Sequence, residues 1–116
     1  MIPQSLKRWL PWLTLLVIGV LSLLPGNNIP RSEVPFSDKM VHAAMYGAFA
    51  LSHYLAYAER RWIFGVMIVV PSLWGILFEW LQNYVPMRSV SVWDAVANVL
   101  GACCMTLVVY LWNKRK

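Results

Sequence analysis

Apolar residues fall into four continuous blocks along the 116-residue chain, separated by three polar connections. The blocks run from about Leu6 to Leu24, Met40 to Ala58, Trp62 to Val85 and Trp93 to Trp112. Each comes close to the roughly 20 residues a helix needs to cross a hydrocarbon layer. None alternates with the period of two that marks a membrane barrel strand. The pattern therefore predicts an all-α chain, a single domain over residues 1–116 built as an integral membrane bundle of four transmembrane helices.

Composition strengthens this expectation. The chain is 59% hydrophobic and only 13% charged, with a mean hydropathy of +0.56. A soluble domain of this size could not bury so much apolar surface. The first block also has the outline of a signal peptide, since Lys7 and Arg8 precede an apolar run that ends at Pro25-Gly26. No small-x-small cleavage site precedes Pro25, and the run is long for a signal core, so the block is expected to be retained as a helix.

Charge sets the expected orientation. With the N-terminus inside, the cytoplasmic face receives Lys7, Arg8, Arg60, Arg61, Lys114, Arg115 and Lys116, and the outer face Arg31, Lys39 and Arg88. Seven basic residues against three favour both termini inside. The net charge of +5 is thus a topology signal and an attraction to anionic membrane lipids; no nucleic-acid partner is expected. Trp9, Trp12, Trp62, Trp93 and Trp112 fall near the expected interfaces, where indole rings collect.

The connections are short. Pro25 to Asp38 carries the turn formers Pro25, Gly26, Asn27, Asn28, Pro30 and Pro35, while Glu59–Arg61 and Pro86–Val92 are tight enough to make their flanking helices antiparallel neighbours.

Most polar residues within the blocks lie toward the outer end. Asp38, His42 and Tyr46 share one helical face by their four-residue spacing, with Lys39 beside them. Glu79 is followed one turn later by Gln82, and Asp94 by Asn98, while Arg88 sits in the intervening loop. At about 1.5 Å per residue, Glu79 lies roughly 10 Å below the loop at Pro86. Facing lipid, a carboxylate costs a few kcal/mol or more, by roughly the scale of insertion measurements, so the three faces are expected to converge. Lys39, Arg88 or a protonated His42 would then offset Glu79 and Asp94.

These residues resemble a known family. Asp38-Lys39-x-x-His42-x-x-x-Tyr46, then Glu79-x-x-Gln82, then Pro86-x-Arg88-Ser89-x-Ser91-x-x-Asp94-x-x-x-Asn98-x-x-Gly101 looks like the signature of the VanZ-like membrane proteins, in order and spacing. The resemblance covers residues 38 to 101. It implies a small multi-pass protein of the bacterial cytoplasmic (inner) membrane and a link to resistance against the glycopeptide teicoplanin. One departure is Met105, where another small residue is expected after Gly101.

Two functional classes compete at this point. In the first, an outward-facing pocket lined by Asp38, Lys39, His42, Tyr46, Glu79, Gln82, Arg88, Asp94 and Asn98 binds or modulates a cell-envelope component, such as a lipid-linked cell-wall precursor or a glycopeptide. In the second, a membrane-embedded enzyme acts on a lipid-linked headgroup, with Glu79 or Asp94 as general base and His42 as a further catalytic candidate. Proton-coupled transport through His42 and Glu79 is weaker, because His53 alone continues a relay inward. A purely structural network fixing helix register accounts for the same residues without a ligand. Asp94 alone would also fit a helix-start acid, with Ser91 as cap.

His42, Glu79 and Asp94 are ligand types for a divalent ion, but their spacing matches no dedicated motif, so the sequence assigns no metal and no cofactor. Cys103 and Cys104 are expected to be small packing residues and not a disulfide. Pro71 is expected to kink the third helix, and Gly101 with Ala97 to admit a close neighbour. The oligomeric state is not legible from the chain.

Overall fold

A computed structural model describes residues 3–23, 37–85 and 92–115. It is all-helical over these residues, with no strand among them. A single turn, α1 (Gln4–Lys7), leads into α2 (Leu10–Leu23). Three further long helices follow: α3 (Ser37–Tyr57), α4 (Ile63–Leu81), extended by a 3-10 turn at Gln82–Tyr84, and α5 (Val92–Lys114). The break between α1 and α2 has a local cause. Pro11 has no N–H to return to the Lys7 carbonyl, so the backbone tightens at Trp9, whose N–H bonds Leu6 O at 3.1 Å, before the longer helix starts.

The four blocks are thus four helices, with ends displaced by a few residues from their expected positions. Three segments, Gln4–Leu23, Ile63–Tyr84 and Val92–Lys114, are long and apolar enough to cross a membrane. The 21-residue α3 spans about 31 Å. It falls outside that apolar set because Asp38, Lys39, His42, Ser52 and His53 dilute it.

Its place in the bundle explains that composition. α3 packs against α2, α4 and α5, and α5 also packs on α4. A helix flanked on three sides can carry polar groups that its neighbours would have to expose. Contacts fix an up-down-up-down arrangement. Ser22 near the end of α2 meets Gln82 just past the end of α4. Lys39 at the start of α3 meets Asp94 at the start of α5, and Tyr54 and Asn113 join the other ends of that pair at 2.8 Å.

Two apolar clusters hold the layers. Ala50, Ile63, Met67, Ala102 and Val109 join α3, α4 and α5 near the end that carries Tyr57, and Ile18, Tyr46, Phe49 and Phe78 join α2, α3 and α4. The α3–α5 seam is very close. A methyl group added at Gly101 would overlap the backbone of Ala43, including its carbonyl. The expectation for Gly101 therefore holds, and its partner is Ala43. Met105 does not open the seam, because its side chain lies over Gly47, where the missing Cβ leaves room. α4 runs on as helix through the buried Pro71.

The cysteines depart from expectation. Both are free, but Cys104 is exposed and only Cys103 is partly covered. Successive helical residues point about 100° apart, so one narrow packing face cannot hold both.

Candidate functional site

The polar residues of α3, α4 and α5 meet at the end of the bundle where α3 and α5 begin. Helical periodicity brings each inward: on α5 the buried positions include Asp94, Ala97, Asn98, Gly101 and Ala102, and on α4 Met67, Pro71, Gly75, Phe78 and Glu79. Glu79, Gln82, Asp94 and Asn98 are all below a tenth exposed, and His42 is 9% exposed.

Asp94 stands at the centre. Its Oδ1 accepts from Lys39 Nζ at 3.1 Å, and its Oδ2 lies 3.9 Å from His42 Nε2. The ammonium is the more accessible partner of that ion pair, with 28% of its side chain exposed against 10% for Asp94. The expected compensation of a buried carboxylate by Lys39 is thus realised at Asp94. His42 Nδ1 is 3.0 Å from Asn98 Oδ1. An amide oxygen only accepts, so His42 Nδ1 carries the proton in this contact. Glu79 completes the group, for one donor atom each of His42, Glu79 and Asp94 lies within 4.8 Å of the others.

Two expected members bond the first helix. Gln82 turns toward α2 and donates from Nε2 to the Ser22 carbonyl at 2.9 Å, so it fastens the first helix to the fourth. Gln82 lies at the junction of α4 and the 3-10 turn and is itself fully buried. Tyr46 is 1% exposed and hydrogen-bonds Ser22, with Glu79 close by. It forms the floor under the cluster. Arg88 and the loop residues Pro86, Ser89 and Ser91 lie outside the described residues, as do the side chain of Asp38 and most of the first connection.

Sequence reasoning missed two supports. Ser22 anchors both Gln82 and Tyr46, yet a lone serine in an apolar helix gives no signal for this. Gly75 makes room for the cluster, since an added methyl there would sit 3.1 Å from Asn98 Cβ and 3.2 Å from the Tyr46 ring.

Among the described residues, two shallow cavities lie away from this group. One, about 120 Å³, is bordered by Trp12, Phe49, His53 and Trp74; the other, about 210 Å³, by Phe64, Thr106 and Tyr110. His53 gives its Nδ1 to the Phe49 carbonyl at 2.8 Å and lies against the Phe49 ring, as expected of a packing residue. Among the described residues the candidate site is a packed polar cluster with Lys39 as its most accessible member.

No family model and no solved structure matches the chain. Among curated proteins it is 30% identical over 89 residues to an uncharacterised protein of the fission yeast Schizosaccharomyces pombe. That alignment covers 75% of this chain and 55% of the yeast protein, so the chain spans about half the length of the curated relative it matches.

Proposed function

We propose that the chain is a four-span integral membrane protein of the VanZ-like kind, with both termini on the cytoplasmic side. Its outer polar cluster binds or modulates a polar, phosphate-bearing headgroup of the cell envelope. The observation that carries this reading is the inversion of the bundle. Glu79, Gln82, Asp94, Asn98 and His42 are inside, while Trp12, Leu16, Leu73, Leu100, Leu107 and Val108 face outward. In water the informative deviations are buried polar groups and large exposed apolar surfaces, and this chain combines both. Lipid around the bundle makes the combination favourable.

Exposed tryptophans mark both ends of the bundle, as interfacial anchors do. Trp9, Trp12, Trp62 and Trp112 lie toward the end bearing Arg8, Arg60, Arg61 and Lys114, and Trp93 toward the opposite end. Bacterial cytoplasmic-membrane location and a role in teicoplanin resistance rest on the resemblance, whereas the matched relative is from a yeast. The ligand is therefore stated by its chemistry. Lys39, the accessible cation of the cluster, and Arg88 are the groups assigned to its phosphate oxygens.

The gathering of an imidazole and two carboxylates at one point favours a second reading, an enzyme on the same headgroup with Glu79 or Asp94 as general base. The test is glycopeptide susceptibility of a sensitive Gram-positive host carrying wild type, Glu79→Gln, Arg88→Ala or Asp94→Asn at equal membrane levels. Protection by wild type that disappears in equally abundant variants is the expected outcome. Failure of wild type to protect would sever this chain from the resistance role. Headgroup binding that survives Glu79→Gln while turnover vanishes would select the enzyme.

A further inference from the structure

Three metal-ligating side chains reach one point from three different helices: His42 from α3, Glu79 from α4 and Asp94 from α5. Two features of their surroundings go beyond a clustering of charge. The first is the use of the Asp94 carboxylate. Lys39 engages Oδ1, and Oδ2 is turned toward His42 Nε2 at 3.9 Å, a separation too long for a hydrogen bond. The second is the orientation of His42. Its Nδ1–H is donated to Asn98 Oδ1, so Nε2 is the nitrogen that faces the carboxylate, and in the neutral tautomer it carries the lone pair. That tautomer sets a lone pair against a carboxylate oxygen within a largely buried cluster. A cation between them resolves that opposition. Holding an imidazole through its other N–H is also how proteins orient a metal-binding histidine.

We propose that His42 Nε2, a Glu79 carboxylate oxygen and Asp94 Oδ2 form a three-ligand site for a divalent cation of the Zn²⁺ or Mn²⁺ class. Asn98 and Lys39 act as positioning residues, the first fixing the imidazole and the second the carboxylate. One nitrogen and two carboxylates suit these ions better than the all-oxygen cages of Ca²⁺. Zinc bonds to such ligands at about 2.0–2.2 Å, so ligand atoms lie at most about 4 Å apart. Donor atoms now up to 4.8 Å apart must therefore draw together on binding. Three protein ligands also leave a coordination position for water or a phosphate oxygen. The site stands independently of the headgroup reading, because the metal alone is its probe.

The experiment uses full-length protein in detergent, stripped with a chelator and carrying Cys103→Ser and Cys104→Ser so that thiols do not compete. Zn²⁺ and Mn²⁺ are titrated separately by calorimetry, and bound metal is counted by mass spectrometry. One ion per chain is expected, retained in His53→Gln, lost in Glu79→Gln and Asp94→Asn, and held about 10- to 100-fold more weakly in Asn98→Ala. No uptake by wild type, or undiminished stoichiometric uptake by Asp94→Asn, overturns the proposal. Because a carboxylate variant can fail to fold, X-ray absorption at the zinc edge is also measured on the protein with its carboxylates intact. A shell of one imidazole nitrogen with oxygen neighbours is expected. A shell with no imidazole, or with more than one, overturns the assignment without reference to any variant.

Discussion

Gly101→Ala isolates the closest approach in the bundle. The added methyl group would overlap Ala43 Cα, C and O, which belong to the backbone of α3 and cannot rotate aside as a side chain would. Overpacking a tight interface costs about 1–3 kcal/mol, and a backbone neighbour argues for the upper part of that range. Alanine returns up to about 1 kcal/mol through its better helix propensity. A net loss of about 1–2 kcal/mol follows. Gly65→Ala is the matched control, since nothing lies within 4 Å of its added methyl. It should keep the propensity gain, so the two variants should differ by about 2–3 kcal/mol. The assay is equilibrium unfolding of the purified protein in mixed micelles with rising SDS, followed by tryptophan fluorescence. Equal stability of Gly101→Ala and Gly65→Ala would refute the α3–α5 seam and, with it, the convergence that places Asp94 beside Lys39.

Other consequences can be measured on the same preparation. Lys39→Met leaves Asp94 buried without its ammonium partner, and the loss should fall between about 1 kcal/mol for an exposed pair and about 3–5 kcal/mol for a buried one. Adding Asp94→Asn should recover most of that loss in a double-mutant cycle, and strict additivity would argue against the pair. Asn98→Leu removes the acceptor of His42 Nδ1–H and should cost about 1–3 kcal/mol of unfolding free energy; an unchanged midpoint would show that the imidazole finds another partner. At the opposite end of the bundle, Glu59 is held below the usual carboxylate range, first by its own backbone amide and further by Arg8 at 3.1 Å. Because the folded-state value is the lower one, its contribution is complete above the ordinary glutamate range and is lost as pH falls through the depressed value. Glu59→Gln should flatten that acid limb of the stability profile, and an unaltered limb would assign the pH dependence elsewhere.

Some of the site was legible from spacing because helices impose it. Asp94 and Asn98, one turn apart, had to share a face, and the cost of leaving unpaired polar groups on an apolar surface argued that this face and Glu79 turn toward neighbouring helices. What spacing could not show is the partner of Gln82, whose amide donates to the Ser22 carbonyl of α2. Ser22 itself was invisible, since its role depends on α2 lying beside α4 and on nothing local to its own sequence.

The amino-acid sequence by itself determined the all-helical class, the number of long helices, their approximate ends and several of the polar residues to be buried, among them Glu79, Asp94 and Asn98. These follow from interactions within one segment: apolar length, turn formers, and the three- to four-residue recurrence of a helix face. Only the tertiary structure decided that α3 is the central helix, that Gly101 meets Ala43, and that Asp94 divides its two oxygens between Lys39 and the face of His42. Those outcomes depend on the rotation and depth of each helix relative to its neighbours. Contacts between residues some 55 positions apart set them, beyond the reach of any local pattern.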